Sequence, residues 1–218
     1  MISVLLKLLT VASGTVGVWT VLFSGGTFMG AGNKALMYFT IQSNILLAAA
    51  ELTVLVCQLV KGKNRIPAFA GILQYWSVVS ITLTFVVFCT MLAPFLPNAW
   101  NLSNTLTHAV APVAAIVDYL FFDRLYRPGK KQAVLATVPA LAYLGFTVVA
   151  WFRGWTFGGG LRYPYSFLNY GGSAGVFGFS TDLRDSLFLG SFYWVLILLA
   201  FVIGVAALYR RLHNGKQQ

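Results

Sequence analysis

Two residues in this chain have the chemistry of an activated hydroxyl nucleophile: Thr40 and His108. A threonine attacks a carbonyl only when a base takes its proton, and a neutral histidine is the usual base. His108 lies in the apolar stretch NLSNTLTHAVAPVAAIVDYLFFD, Asn101 to Asp123, together with an acid, Asp118. The other histidine, His213, falls in the polar C-terminal tail. An ionisable residue inside an apolar stretch is costly and by default marks function. A second acid, Glu51, shares a helical face with Thr40, because Thr40, Asn44, Leu47 and Glu51 follow an i, i+4, i+7, i+11 pattern. That face carries a hydroxyl, an amide and a carboxylate, which turn to partners or water inside a bundle rather than to lipid. Asp118 follows His108 by about 80° around an ideal helix, so these two share one broad side.

Each of these residues also has a structural reading. Threonine commonly bonds back to its own helix, and a histidine can serve only to close a helix–helix hydrogen bond. Glu51 and Asp118 form either a shared-proton or cation site or pairs with basic residues near the inner face, such as Arg65 or Arg124. Cys57 lies near the inner end of its span and Cys89 near the outer end of its own, a depth mismatch that makes a poor arrangement for a disulfide. With two histidines far apart in sequence there is no metal-ligand cluster, and no metal or organic cofactor is expected.

The elements that hold these groups are membrane spans. The chain has 218 residues, 58% hydrophobic and 9% charged, against about 25% charged in a soluble domain. Its net charge of +10 does not point to nucleic acid, because the charges cluster between apolar runs. Six runs reach the roughly 20 residues a spanning helix needs: about 2–23, 35–60, 67–92, 104–122, 132–152 and 186–209. The expected fold is an all-α, six-helix membrane bundle forming a single domain. Its first helix is retained rather than cleaved as a signal peptide, since every later run spans as well.

Lysine and arginine positions orient it. Lys7, Lys61, Lys63, Arg65, Arg124, Arg127, Lys130, Lys131, Arg210, Arg211 and Lys216 all fall on the cytoplasmic side when both termini are cytoplasmic. Lys34, Arg153, Arg162 and Arg184 then lie outside. Thr40 is about five residues into the second span and His108 about four into the fourth. Both then sit roughly 6–8 Å below the outer ends of their helices. Glu51 and Asp118 share a deeper level, toward the inner leaflet. The long segment Arg153 to Asp185, rich in glycine and aromatics, lies on the same outer side as Thr40 and His108. Its aromatic content predicts a packed segment able to cover them, either as a lid or as an interfacial belt. Thr181, Asp182 and Asp185 are read as the capped start of the sixth span.

The chain resembles the androgen-induced and androgen-dependent membrane proteins, and more closely the small microbial proteins grouped with them. The residues that carry the resemblance are Tyr38-Phe39-Thr40, Asn104 with His108, Asp118 ten residues on, and Tyr163-Pro164-Tyr165 in the outer loop. Those proteins are intramembrane threonine hydrolases of fatty acid esters of hydroxy fatty acids. The resemblance implies that Thr40 is the nucleophile and His108 its base, acting on a membrane lipid or similar acyl ester. Tyr163, Pro164 and Tyr165 fall in the segment read above as either a lid or an interfacial belt, and are its candidate lid residues. Two departures stand: Pro112 falls four residues after His108 where animal members have five, and Gln42-Ser43-Asn44 is more polar.

A tetrahedral intermediate needs hydrogen-bond donors. Asn44, Asn104, Gln42 and Ser43 are the side-chain candidates, with free N–H groups of the second span's first turn beside them. Glu51 and Asp118 are expected to give intramembrane polar support. The expected setting is the plasma membrane of a microbe with the site toward the outer leaflet; sequence leaves the oligomeric state open. Two other classes fit parts of the pattern. One is a transporter or ligand-binding protein using Glu51 and Asp118, and the other a structural membrane subunit whose polar residues fix packing.

Overall fold

The computed structural model describes residues 1–25, 29–61, 66–123, 125–182 and 186–215. Among the described residues, six helices are long and apolar enough to cross a membrane: α1 Ile2–Ser24, α2 Phe39–Val60, α3 Ala68–Phe95, α4 Leu102–Phe122, α5 Lys130–Phe152 and α6 Ser191–Gly215. The chain is an all-α, multi-pass membrane bundle. Large apolar side chains such as Leu5, Leu9, Trp19 and Phe23 of α1 face outward, which a soluble protein would not tolerate in such number.

Helix α1 packs on α2 and α4, and α3 packs on α2, α4 and α6. The contact face of α1 is made of small and polar residues, with Thr10, Gly14 and Gly17 buried on it. Small residues let backbones approach closely where lipid supplies no hydrophobic drive between helices. At Gly17 the approach is extreme, since a Cβ would stand 2.6 Å from Thr107 Cγ2.

Both chain ends lie at one end of the bundle. Lys7 reaches Asp123 at the foot of α4 at 2.6 Å, and Asn214 donates to the Pro128 carbonyl at 3.1 Å. The second helix starts later than its hydropathy suggests, because Gly32–Met37 forms a separate 3-10 turn and Tyr38 is extended before Phe39. Thr40 is thus in the first turn of α2 rather than five residues in. The sixth helix also starts late, at Ser191. Thr181 and Asp182 are exposed in the preceding segment and do not cap it, and Asp185 lies outside the described residues.

Helix α4 is not uniform. Asn101 caps its start by accepting the Asn104 N–H at 2.9 Å. Its turns widen to π-helix at Leu106–Val110 and again at Asp118–Phe122. Pro112 explains the first widening: it has no N–H to give the His108 carbonyl, and Ala111 N–H reaches back five residues to Leu106. His108 and Asp118 both sit in these widened turns, a feature frequent at functional sites.

Helix α5 meets α6 through its first turns, Lys130–Leu135. Above them, Leu144 of α5 and Leu198 of α6 both line an apolar cleft. The segment between α5 and α6 is packed in part: Trp155, Phe177 and Phe179 are exposed, while its middle is buried. Phe157, Tyr165, Phe167 and Leu168 are buried. The Gly158 N–H donates to Tyr38 Oη at 2.8 Å, which ties this segment to the start of α2.

Candidate active site

Thr40 and His108 meet. Thr40 Oγ1 lies 3.2 Å from His108 Nε2, and both residues are buried. The tautomer follows from the other ring nitrogen. His108 Nδ1 lies 3.2 Å from the Asn104 carbonyl oxygen and 3.1 Å from Thr107 Oγ1. Thr107 donates its own proton to the Ser103 carbonyl at 2.8 Å, so its oxygen faces Nδ1 as an acceptor. With acceptors on that side, Nδ1 carries the hydrogen and Nε2 is left bare to receive the threonine proton. Phe88 stacks on the imidazole at 3.8 Å between centroids and 18° between planes, which fixes the ring's orientation. The result is a hydroxyl–imidazole pair whose ring is oriented by a carbonyl and a hydroxyl in place of a carboxylate.

Thr40 opens on the apolar cleft. Phe39, Tyr143, Leu144, Phe167 and Leu198 line that cleft with it, so a long apolar chain lying there would bring its polar end to the hydroxyl. His108 stands behind Thr40, away from the cleft lining.

The amides suggested by sequence are turned to backbone. Asn44 Nδ2 donates to the carbonyls of Thr40 at 2.8 Å and Thr107 at 3.0 Å, joining α2 to α4 just beneath the dyad. Asn104 Nδ2 donates to Ala99 at 2.9 Å, and Gln42 Nε2 to Leu36 at 3.0 Å. The Ser43 hydroxyl pairs with Thr84 Oγ1 at 2.8 Å and lies 3.1 Å from the Thr40 carbonyl.

The loop between α5 and α6 supplies a group that patterning did not place. In the Tyr163-Pro164-Tyr165 motif, Tyr163 is half-buried and Pro164 and Tyr165 are buried. The Tyr165 hydroxyl accepts the Thr40 N–H at 3.4 Å and also interacts with the Thr40 side chain.

Glu51 and Asp118 come together at the opposite end of the bundle, around Lys7. The Lys7 ammonium is 3.2 Å from Glu51 Oε2, 2.6 Å from Asp123 Oδ2, and bonded to Asp118 Oδ2. Gln74 Nε2 donates to Glu51 Oε2 at 3.2 Å and to Asp123 Oδ2 at 2.8 Å. Lys7 is therefore not a loop charge on the cytoplasmic side, as the orientation count has it. It is wholly buried and serves as the counter-ion of α2 and α4. Arg65 and Arg124, the partners considered from sequence, lie outside the described residues. Asp123 and Gln74 are the members of this cluster that sequence patterning missed.

No family model, no curated protein and no solved structure matches this chain.

Proposed function

We propose that this protein is an intramembrane hydrolase of lipid acyl esters, with Thr40 as nucleophile and His108 as general base. The observation that carries it is the 3.2 Å contact between Thr40 Oγ1 and a bare His108 Nε2, beside a cleft lined by apolar side chains. In the first step Nε2 takes the Thr40 proton while Oγ1 bonds to the ester carbonyl carbon, and the carbonyl π pair moves onto oxygen. Collapse of this intermediate breaks the ester C–O bond, and the departing alkoxide takes the proton from Nε2. Water then gives a proton to Nε2 and adds to the threonyl ester. The free acid leaves as Oγ1 recovers its proton.

The resemblance to the androgen-induced and androgen-dependent proteins supports the same residues in the same roles. It suggests fatty acid esters of hydroxy fatty acids, or similar acyl esters, as the substrate class. Because Thr40 and His108 lie at the end of the bundle away from both chain termini, the positive-inside orientation puts the site toward the outer leaflet. Water reaches an ester more readily at that depth than at the bilayer centre. The Glu51 and Asp118 carboxylates, held by Lys7, supply polar support between helices in this reading.

The test is labelling of purified protein by a fluorophosphonate probe, with hydrolysis of a long-chain ester measured alongside. Wild type labels at Thr40 and turns over ester; Thr40→Ala and His108→Ala lose both and keep the wild-type melting temperature within a few degrees. An active Thr40→Ala protein removes threonine from the mechanism.

A further inference from the structure

We infer that Tyr165 is a catalytic residue: its phenolic O–H and the N–H of Thr40 itself are the two donors that hold the ester oxygen once it becomes an oxyanion. This rests on the hydrolase reading above.

A donor pair is needed within hydrogen-bond reach of the position the oxyanion will take, beside the attacking oxygen. Thr40 is the second residue of α2, and an N–H in the first turn of a helix has no carbonyl partner four residues back. In chymotrypsin-like serine proteases the nucleophile's own N–H is one of the donors that do this work. In this structure that N–H is turned to Tyr165 Oη at 3.4 Å, longer than a good N–H···O bond of about 2.9–3.0 Å. An anionic oxygen would compete well for it.

Tyr165 offers the second donor from the same place. Its hydroxyl lies against both the backbone and the side chain of Thr40 and against the Tyr143 hydroxyl. Tyr143 gives its own proton to the Met37 carbonyl at 3.1 Å, which leaves its oxygen as a resting acceptor for the Tyr165 proton. Rotation about the phenolic C–O bond carries that proton from the resting partner to the oxyanion. The ring itself is held, stacked on Phe167 at 5.2 Å and 6° and edge-on to Tyr38 at 5.9 Å and 78°. Burial pushes the Tyr165 phenol above its ordinary pKa, which favours the neutral, proton-bearing form that a donor needs. Tyr165 and Thr40 line the same cleft, so one bound ester meets both. The amides of Asn44, Asn104 and Gln42 are engaged with backbone carbonyls and do not compete for this role.

The experiment compares wild type with Tyr165→Phe, which keeps the ring and its stacking. The probes are 4-methylumbelliferyl oleate in detergent micelles and a long-chain alkyl trifluoromethyl ketone, which forms a tetrahedral adduct on the nucleophile. The expected result is a fall in kcat of roughly 100-fold, the scale of losing one oxyanion donor, with KM within about threefold. Because tetrahedral analogues report transition-state contacts, the ketone's inhibition constant rises by a comparable factor. Placing 3-fluorotyrosine at 165 moves the alkaline limb of the kcat profile to lower pH, a shift that a packing role would not produce. Turnover within threefold of wild type in Tyr165→Phe overturns the assignment, as does a rate loss with unchanged ketone affinity. If Tyr165→Phe fails to fold, an unmoved alkaline limb in the fluorotyrosine protein overturns it instead. A folded wild type that neither labels at Thr40 nor hydrolyses the ester removes the hydrolase and the Tyr165 role together.

Discussion

Replacing Lys7 by methionine isolates the inner cluster at the level of one residue. It leaves Glu51, Asp118 and Asp123 buried with no ammonium between them, and breaking a buried ion pair from one side costs about 3–5 kcal/mol. The expected outcome is a clear drop in melting temperature in detergent, partly recovered by adding Glu51→Gln, which removes one of the stranded charges. A Lys7→Met protein that melts with wild type would show that Lys7 is not the counter-ion. The sequence brings Glu51 and Asp118 to one depth, and they do share a partner, but loop charges are the wrong place to look for it. A lysine near a helix end fits the positive-inside pattern, which absorbs Lys7 without asking which way it points. The signal was in the phase of α1. Lys7, Thr10, Gly14, Gly17 and Val21 are spaced three and four apart, and all are buried. A lysine on the small-residue stripe of a helix points into the bundle.

At the scale of the element, the dyad depends on how closely α1 lets α4 approach. Gly17 faces the widened turn that carries His108, and an alanine Cβ there would stand 2.6 Å from Thr107 Cγ2 and 3.1 Å from Leu106 Cβ. Thr107 cannot simply rotate away, since its hydroxyl donates to the Ser103 carbonyl at 2.8 Å. Alanine gains up to about 1 kcal/mol of helix propensity over glycine, but overpacking costs about 1–3 kcal/mol, so Gly17→Ala is expected to destabilise. Its effect on turnover should exceed its effect on stability, because a 1 Å misplacement of a catalytic group costs roughly 100-fold. Gly204→Ala is the control: nothing lies within 4 Å of where its new Cβ would stand, and it should be neutral or slightly stabilising. Equal behaviour of the two variants in melting and ester turnover would mean that the α1–α4 approach does not position the base. Span counting brought Thr40 and His108 together although α2 begins at Phe39 rather than near 35. The agreement comes from both residues lying near the same ends of antiparallel neighbours of α1. Hydropathy did not reveal that the turn around His108 widens, because Pro112 acts through a missing donor rather than through polarity.

On the scale of the whole molecule, the polar features divide between two ends. A charged cluster fastens α1, α2, α3 and α4 near the termini, while the hydroxyl–imidazole pair sits toward the other end, against the segment between α5 and α6 that carries Tyr165. Between α5 and α6 the bundle is open above Lys130–Leu135, and this opening leads an apolar cleft to Thr40. Such an arrangement suits a substrate that arrives sideways from the lipid with its ester at the interface. Val202 lines the cleft eleven residues into α6, about 16 Å along the helix from its outer end, so it stands near the deep limit of the space available to an acyl chain. Val202→Phe should shorten that space without touching Thr40 or His108. The expected outcome is a change in chain-length preference: kcat/KM falls for long-chain esters by roughly 10–200-fold, the discrimination a few kcal/mol of lost pocket space gives, and stays close to wild type for short-chain esters. A series of 4-methylumbelliferyl esters of increasing length reads this directly. If every chain length falls by the same factor, the substitution has disturbed the fold or the dyad. If none changes, the acyl chain lies elsewhere, and the opening between α5 and α6 is a lipid-filled gap rather than the substrate's path.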